Sequence, residues 1–503
     1  MKLKTINNRI DEIIEAIASK PFIYLTLIVI INILLKGFYL GDASMWLDEV
    51  SQVNLSIKPA NEIIKESLEY PNAPVYTLLL SVWIKFFGIS PIATRSLSLL
   101  ISVATIPAIF HFAKRHLNSF TAIFSTLLFS VSNLQLYYSH EARSYTLVGL
   151  LIVISCNLFL NNYKRPSLSN TILLCITNTL LLYTHLTAIL IFVAQALFGI
   201  WHLRDKKKTV HAVVSVSIPI ALLSIWFLSN SWFGGNETVW LGKPTIKDLL
   251  SMFSNLLNGQ KVLIVSVFLS VGGIIFYLKQ GKIDNNKIVL ALFLCAWGIA
   301  PVILSYISSI YYNPRFIPRY ILYTSIGLFL FISYTSSVKR FPNTIKIPLL
   351  LIIIVYSGLK LNLSPWKGEN WKDAVASYKN LDRRNSATIV SAWYQWLPFS
   401  YYYSTNAFMN YKSTLNILSK EAIFFTNGKE ILNSVKTDTL DQIILILSHY
   451  GYADPNRTLV NEVSSEFGDP ISTINHYGVE ILVFKKDSLT CKLPITTSNL
   501  STK

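Results

Sequence analysis

The stretch "PFIYLTLIVIINILLKGFYL", residues 21–40, is almost wholly apolar, and similar runs recur to about residue 360. About 20 apolar residues are what a helix needs to cross a bilayer core of about 30 Å. Inside lipid each backbone N–H and C=O must find its partner within the protein, which leaves helices or a closed barrel. The length and lack of alternation of these runs predict a polytopic α-helical membrane protein. Charged residues are 14% of the chain against roughly 25% in ordinary soluble domains.

Apolar runs set against basic loops predict about eleven spans. They start near Pro21, Pro91, Ser119, Tyr145, Leu168, His185, Thr209, Lys261, Lys287, Arg319 and Ile345. Basic clusters at Lys114, Lys164, Arg204, 279–287 and 338–346 then fall on one side with the basic N-terminus. By the positive-inside rule that side is cytoplasmic. The opening 20 residues are too polar for a signal peptide, so the first run is expected to be a retained helix. Residues 74–88 are apolar but short and contain Lys85, and counting them as a span would invert every later loop. They are expected to form an interfacial or re-entrant helix beside the external face.

From about Ser364 the spans stop. "NWKDAVASYKNL" has helical periodicity, and "ATIVSAWY", "QIILILS" and "VEILVF" read as strands. The expected organisation is a membrane domain over 1–363 and an external α/β domain over 364–503.

The net charge of +17 is scattered over short loops and makes no basic face, which argues against a nucleic-acid partner. Cys156, Cys175, Cys295 and Cys491 show neither metal-ligand spacing nor an obvious disulfide pair. No P-loop, dinucleotide fingerprint or zinc motif occurs. An external site without a nucleotide cradle calls for a preformed, membrane-borne activated substrate.

Four polar constellations gather on the predicted external side. Asp48 and Glu49 lie in "MWLDEV" just past the first span. There a partly desolvated carboxylate suits a general base or a cation ligand, although a solvated loop is the plain alternative. His140, Glu141 and Arg143 crowd the turn "YYSHEARSY". Ionisable groups so close to lipid are costly and tend to be functional, while a stabilising Glu–Arg pair is the structural alternative. His185 ends another span beside Thr184. Arg315 and Arg319 sit in the proline-stiffened "YYNPRFIPRY". Arginine matches phosphate geometry in a bidentate fork, and snorkelling is its alternative.

The ordered set "WLDEV", "YPNAPVYTLLLSVWIKFFGISPIATRSLSLL", "YYSHEARSYTL", "YTHLTAIL" and "PRYILYTS" resembles the GT-C glycosyltransferases. Within them it is similar to the group of dolichyl-phosphate-mannose-type protein mannosyltransferases and ArnT-like aminoarabinose transferases. The match runs from about Asp42 to Tyr323, with a weaker echo in "ENWKDAVASY". The resemblance implies a GT-C fold and transfer of a monosaccharide from a polyprenyl-phosphate-linked donor at the external face. The acceptor would be a lipid, protein or glycan hydroxyl. It maps the first-loop acid to Asp48 with Glu49 beside it, the second acid to Glu141 with Arg143 as neighbour, and the phosphate-binding base to Arg319. Where the family often carries a basic residue or His, this chain has Asn72, which donates a hydrogen bond but brings no charge. A divalent cation is a possible cofactor. The alternative reading is a transporter or flippase for lipid-linked sugars, which would call for polar residues at mid-membrane, and these are sparse.

Overall fold

The computed structural model describes residues 2–69, 73–200, 206–228, 242–281, 283–364, 368–428, 430–435 and 437–486. The chain forms two compact units, Met1–Asp42 with Lys58–Pro365, and Ala43–Ile57 with Trp366–Lys503. The second unit is therefore discontinuous in sequence and includes the segment carrying Asp48 and Glu49.

The first unit is helical. A helix stands at each of the eleven predicted places. Among the described residues four are long and apolar enough to cross a membrane: Pro91–His116, Tyr145–Lys164, Gln260–Leu278 and Asn285–Tyr311. The pairs Arg9–Ser19 with Pro21–Gly37 and Ser119–Ser130 with Asn133–Ser139 are bent by 81° and 59°, which makes up to six spans. Leu168–Leu182, Thr324–Ser336 and Asn343–Leu359 are shorter. At about 1.5 Å of rise per residue such helices fall short of a full bilayer core. Residues 74–88, expected as an interfacial or re-entrant helix, supply the helix Pro74–Phe87, of 14 residues.

The second bend is built rather than accidental. Breaking a helix exposes backbone donors and acceptors. The Asn258 side chain satisfies one of each, accepting from Asn133 N and donating to Val131 O, both at 2.9 Å.

Glycines seat the central helix Thr324–Ser336. A Cβ on Gly327 would lie 2.7 Å from Gly298 N and from Trp297 Cγ, so these helices touch backbone to backbone. Close approach through small residues is how membrane helices pack without a hydrophobic driving force. Trp297 Nε1 donates to Tyr323 O at 3.2 Å across the same contact.

The second unit holds a five-stranded sheet in the order β2-β1-β3-β5-β4. The strands are β1 Ser386–Ser391, β2 Ile423–Thr426, β3 Gln442–Ser448, β4 Ser472–His476 and β5 Val479–Lys485. β1 runs parallel to β2 and β3, while β5 is antiparallel to β3 and β4. Alternate residues feed two cores. Val390, Ile444, Ile446 and Ile481 pack with Trp371 and Phe399. Ile389, Ile443, Leu445 and Phe484 pack with Leu459 and Phe467. Burial on both faces explains the uninterrupted "QIILILS". The expected strands are β1, β3 and β5, and the expected helix is Trp371–Lys379.

Candidate active site

In the first unit the end of the helix Pro21–Gly37 is closed by side chains from two other elements. His140 Nε2 donates to Lys36 O at 2.6 Å, and Arg95 Nη1 donates to Leu40 O at 3.1 Å. A carbonyl can only accept, so His140 Nε2 carries a proton. The turn after Ser139 is thereby pinned on one side. On the other, Ser98 Oγ donates to Arg143 O at 3.2 Å. Ser98 has a single proton, so Tyr76 OH, 2.7 Å away, must donate to Ser98.

This double pinning drives the turn inward. His140 and Glu141 are 2% and 1% exposed, and Arg143 is half-buried. A buried carboxylate is expensive without cations and donors around it. Glu141, Tyr145 and Arg319 all act electrostatically on Tyr138, which brings the turn and the 318–321 segment to one place. The Arg143 guanidinium lies 5.9 Å from the Tyr145 ring and that of Arg319 lies 5.5 Å from the Tyr320 ring.

His185 stands at the boundary turn before Leu186–Leu190. Thr187 N donates to its Nδ1 at 3.3 Å, and the Tyr145 and Tyr320 rings lie 6.0 and 5.2 Å away. Burial, then Arg143, Arg319 and Arg315 in that order, push its imidazole down to about 3. The ring is therefore neutral at working pH, and three guanidinium groups act on one point. Arg315 N donates to Ser309 Oγ at 3.0 Å, while its buried Nε has no hydrogen-bond partner among the described residues. Beside this loop a cavity of about 240 Å³ is lined by Asp248, Ser251 and Asn255 of one helix and by Phe316, Ile317 and Pro318.

The first unit thus gathers Glu141, Arg143, His185, Arg315 and Arg319. Three arginines around a neutral ring, with one buried carboxylate, leave an excess of positive charge that suits an anion with several acceptor oxygens. Asp48 and Glu49 belong to the second unit, in the first turn of the helix Leu47–Ser56, where the helix dipole favours carboxylates. Glu49 is fully buried. The segment before them is tied down by Met45 N donating to Tyr402 OH at 2.7 Å and by Lys372 N donating to Ser44 Oγ at 3.2 Å. Asn72 and the loop 229–241 lie outside the described residues.

Sequence reasoning passed over Lys36, Arg95, Tyr138, Tyr145 and Tyr320. Lys36 is fully buried, with Nζ donating to Ser102 Oγ at 2.7 Å and lying 4.7 Å from the Phe129 ring. A lysine at a span end reads as snorkelling, and nothing local in the sequence says that it faces inward. The tyrosines flank every charged motif, a signal that was available. Among the described residues no three His, Cys, Asp or Glu side chains gather as a metal site.

Fold and cluster together define a polytopic helical protein with a charged, aromatic-walled site at its helix ends and a small α/β unit. No family model matches the chain, and no curated protein matches it. Among solved structures it is similar to the oligosaccharyltransferase of Archaeoglobus fulgidus in complex with zinc and sulfate. The identity there is 11%, over 84% of this chain and 67% of that one, with a TM-score of 0.48. It is also similar to ArnT from Cupriavidus metallidurans in the apo state, at 11% identity over 92% of this chain and 98% of that one, with a TM-score of 0.41. The same ArnT bound to undecaprenyl phosphate aligns over the same shares at 11% identity, with a TM-score of 0.40. These proteins are GT-C glycosyltransferases, the group that the ordered motifs resemble.

Proposed function

We propose that this protein is a membrane glycosyltransferase that moves a monosaccharide from a polyprenyl-phosphate-linked donor to an acceptor hydroxyl at the external membrane face. The observation that carries the reading is the convergence of Arg143, Arg315 and Arg319 on His185 beside the buried Glu141. Such a cluster fits a phosphate that arrives on a lipid, since the arginines sit at helix ends flanked by tyrosines. The cavity beside Phe316 combines hydrogen-bonding side chains with an aromatic residue, a lining suited to a sugar ring.

In the proposed reaction Asp48 takes the proton from the acceptor hydroxyl, and the hydroxyl oxygen attacks the anomeric carbon. The bond from that carbon to the phosphate oxygen breaks through an oxocarbenium-like state. The lipid phosphate leaves as a stable anion, its charge offset by Arg319 and Arg143, so no strong acid is required. Glu141 positions the acceptor or the base, and Glu49 tunes its neighbour Asp48 or binds a cation. The finer topology belongs to the same reading: eleven crossings, a cytoplasmic N-terminus and an external second unit.

The test is transfer of radiolabelled sugar from a synthetic polyprenyl-phosphate donor by the purified protein in detergent. Labelled product whose formation weakens by more than about tenfold in Arg319→Ala upholds the proposal. Donor that is never cleaved in detergent, but is moved across the bilayer by the same protein reconstituted in vesicles, would replace it with the transporter reading.

A further inference from the structure

Within the second unit, the segment bearing Asp48 meets a second group of ionisable side chains. His449 follows β3 with a left-handed backbone, φ 54°, a conformation that His and Asn tolerate better than most residues. Its Nε2 faces Glu369 Oε1 in a short ion-pair contact, and its Nδ1 lies 3.2 Å from Tyr394 OH. Glu369 is itself wedged in place. Gly478, at φ 71°, leaves room for it, since a Cβ there would lie 3.0 Å from Glu369 Cγ, and Asn370 N donates to Tyr477 O at 2.8 Å. The residue before it, Gly368, lies against Trp46, whose Cβ is 3.5 Å from where a Gly368 Cβ would stand. Trp46 is two positions before Asp48. Both imidazole nitrogens are engaged, so His449 is poorly placed to shuttle protons and well placed to hold a fixed charge.

We propose that His449, clamped between Glu369 and Tyr394, is a positioning residue for Asp48, holding a positive charge beside the segment that aims its carboxylate at the acceptor hydroxyl. The inference rests on the transferase reading above. The charged groups that act on His449 are Glu369 and Asp48, and the titratable Tyr394 faces its other nitrogen. The Glu369 contact, with Asp48 adding to it, raises the imidazole above its usual value despite partial burial. The imidazolium therefore persists to higher pH than that of an unperturbed histidine and is lost as pH rises through that raised value.

Two measurements on the full-length protein in nanodiscs decide the matter. The first reads the His449 titration by carbon-13 NMR of labelled histidine, with His449→Asn to assign its signal among the eight histidines. Asp48→Asn and Glu369→Gln are each expected to lower the titration midpoint. A midpoint unmoved by Asp48→Asn overturns the proposal, whether or not any transfer activity is found. The second is the pH profile of transfer. His449→Asn is expected to lower kcat about tenfold or more with donor KM unchanged and to abolish the alkaline limb, and His449→Lys to restore kcat. Wild-type kcat with an unchanged limb in His449→Asn overturns the proposal as well. Should His449→Asn fail to fold, Glu369→Gln carries the same comparison. A wild-type protein that transfers no sugar would instead sink the transferase reading, and the NMR result would still decide whether Asp48 and His449 are coupled.

Discussion

Thr187 and Tyr320 lie 133 positions apart in sequence, yet the Thr187 hydroxyl donates to the Tyr320 carbonyl at 2.6 Å. Tyr323 OH returns a bond to Thr187 O at 2.9 Å, so the turn holding His185 and the segment holding Arg319 are locked together. Thr187→Val keeps the shape and strands the Tyr320 carbonyl, at a cost of roughly 1–3 kcal/mol. Donor KM should rise several-fold with little change in kcat. An unchanged KM would show that Arg319 keeps its place without this lock.

Arg319→Ala should raise donor KM or lower turnover more than about tenfold, the scale of one charge-assisted contact of roughly 1.5–3 kcal/mol. Kinetics equal to the wild type would assign Arg319 to snorkelling.

Asp48→Asn, isosteric and uncharged, should lower transfer at least about a hundredfold if Asp48 is the base. Glu49→Gln should cost less, and Glu141→Gln measures the second carboxylate. Near-normal transfer by monodisperse Asp48→Asn protein would move the base to Glu49 or Glu141.

His185, held down to about 3, is neutral across the physiological range, so it should contribute no limb to the transfer profile between pH 5 and 8. The folded protein keeps this ring unprotonated where the unfolded chain would protonate it. Its stability is therefore complete above about pH 6.5 and falls as acidification proceeds from there toward the folded value. His185→Asn should lose less stability than the wild type over that window in thermal melts. An equal loss would place the acid sensitivity elsewhere.

Topology can be read with impermeant thiol reagents on a cysteine-free background. A cysteine at Asn456 should react from outside and one at Lys207 should not. Reaction at Lys207 would invert the proposed orientation and remove the external site with it.

Much of this was legible because it rests on local pattern. The runs that mark the helices, the uninterrupted apolar stretch of "QIILILS" and the crowding of Glu141 and Arg143 in one turn need no distant partner. The break at Val131 was not, because "SVSN" contains neither Pro nor Gly and Asn258 supplies the satisfaction from far away. β2 escaped because "IFFT" is four residues long. The allegiance of Asp48 was hidden for a similar reason. Its segment reads as a loop of the membrane unit, while Tyr402, 357 positions from Met45, holds it elsewhere.

That allegiance bears on how the protein can be made and modified. Ala43–Ile57 leave the ribosome early, but the residues that receive them come only after Trp366. The segment must wait, unpartnered, while nearly all of the membrane unit is synthesised, a delay in which exposed Met45 and Val50 invite wrong partners. The α/β unit is also not a detachable C-terminal cassette. A fragment starting at Trp366 would lack one of its own pieces, and an exchange with a relative would have to carry both segments at once.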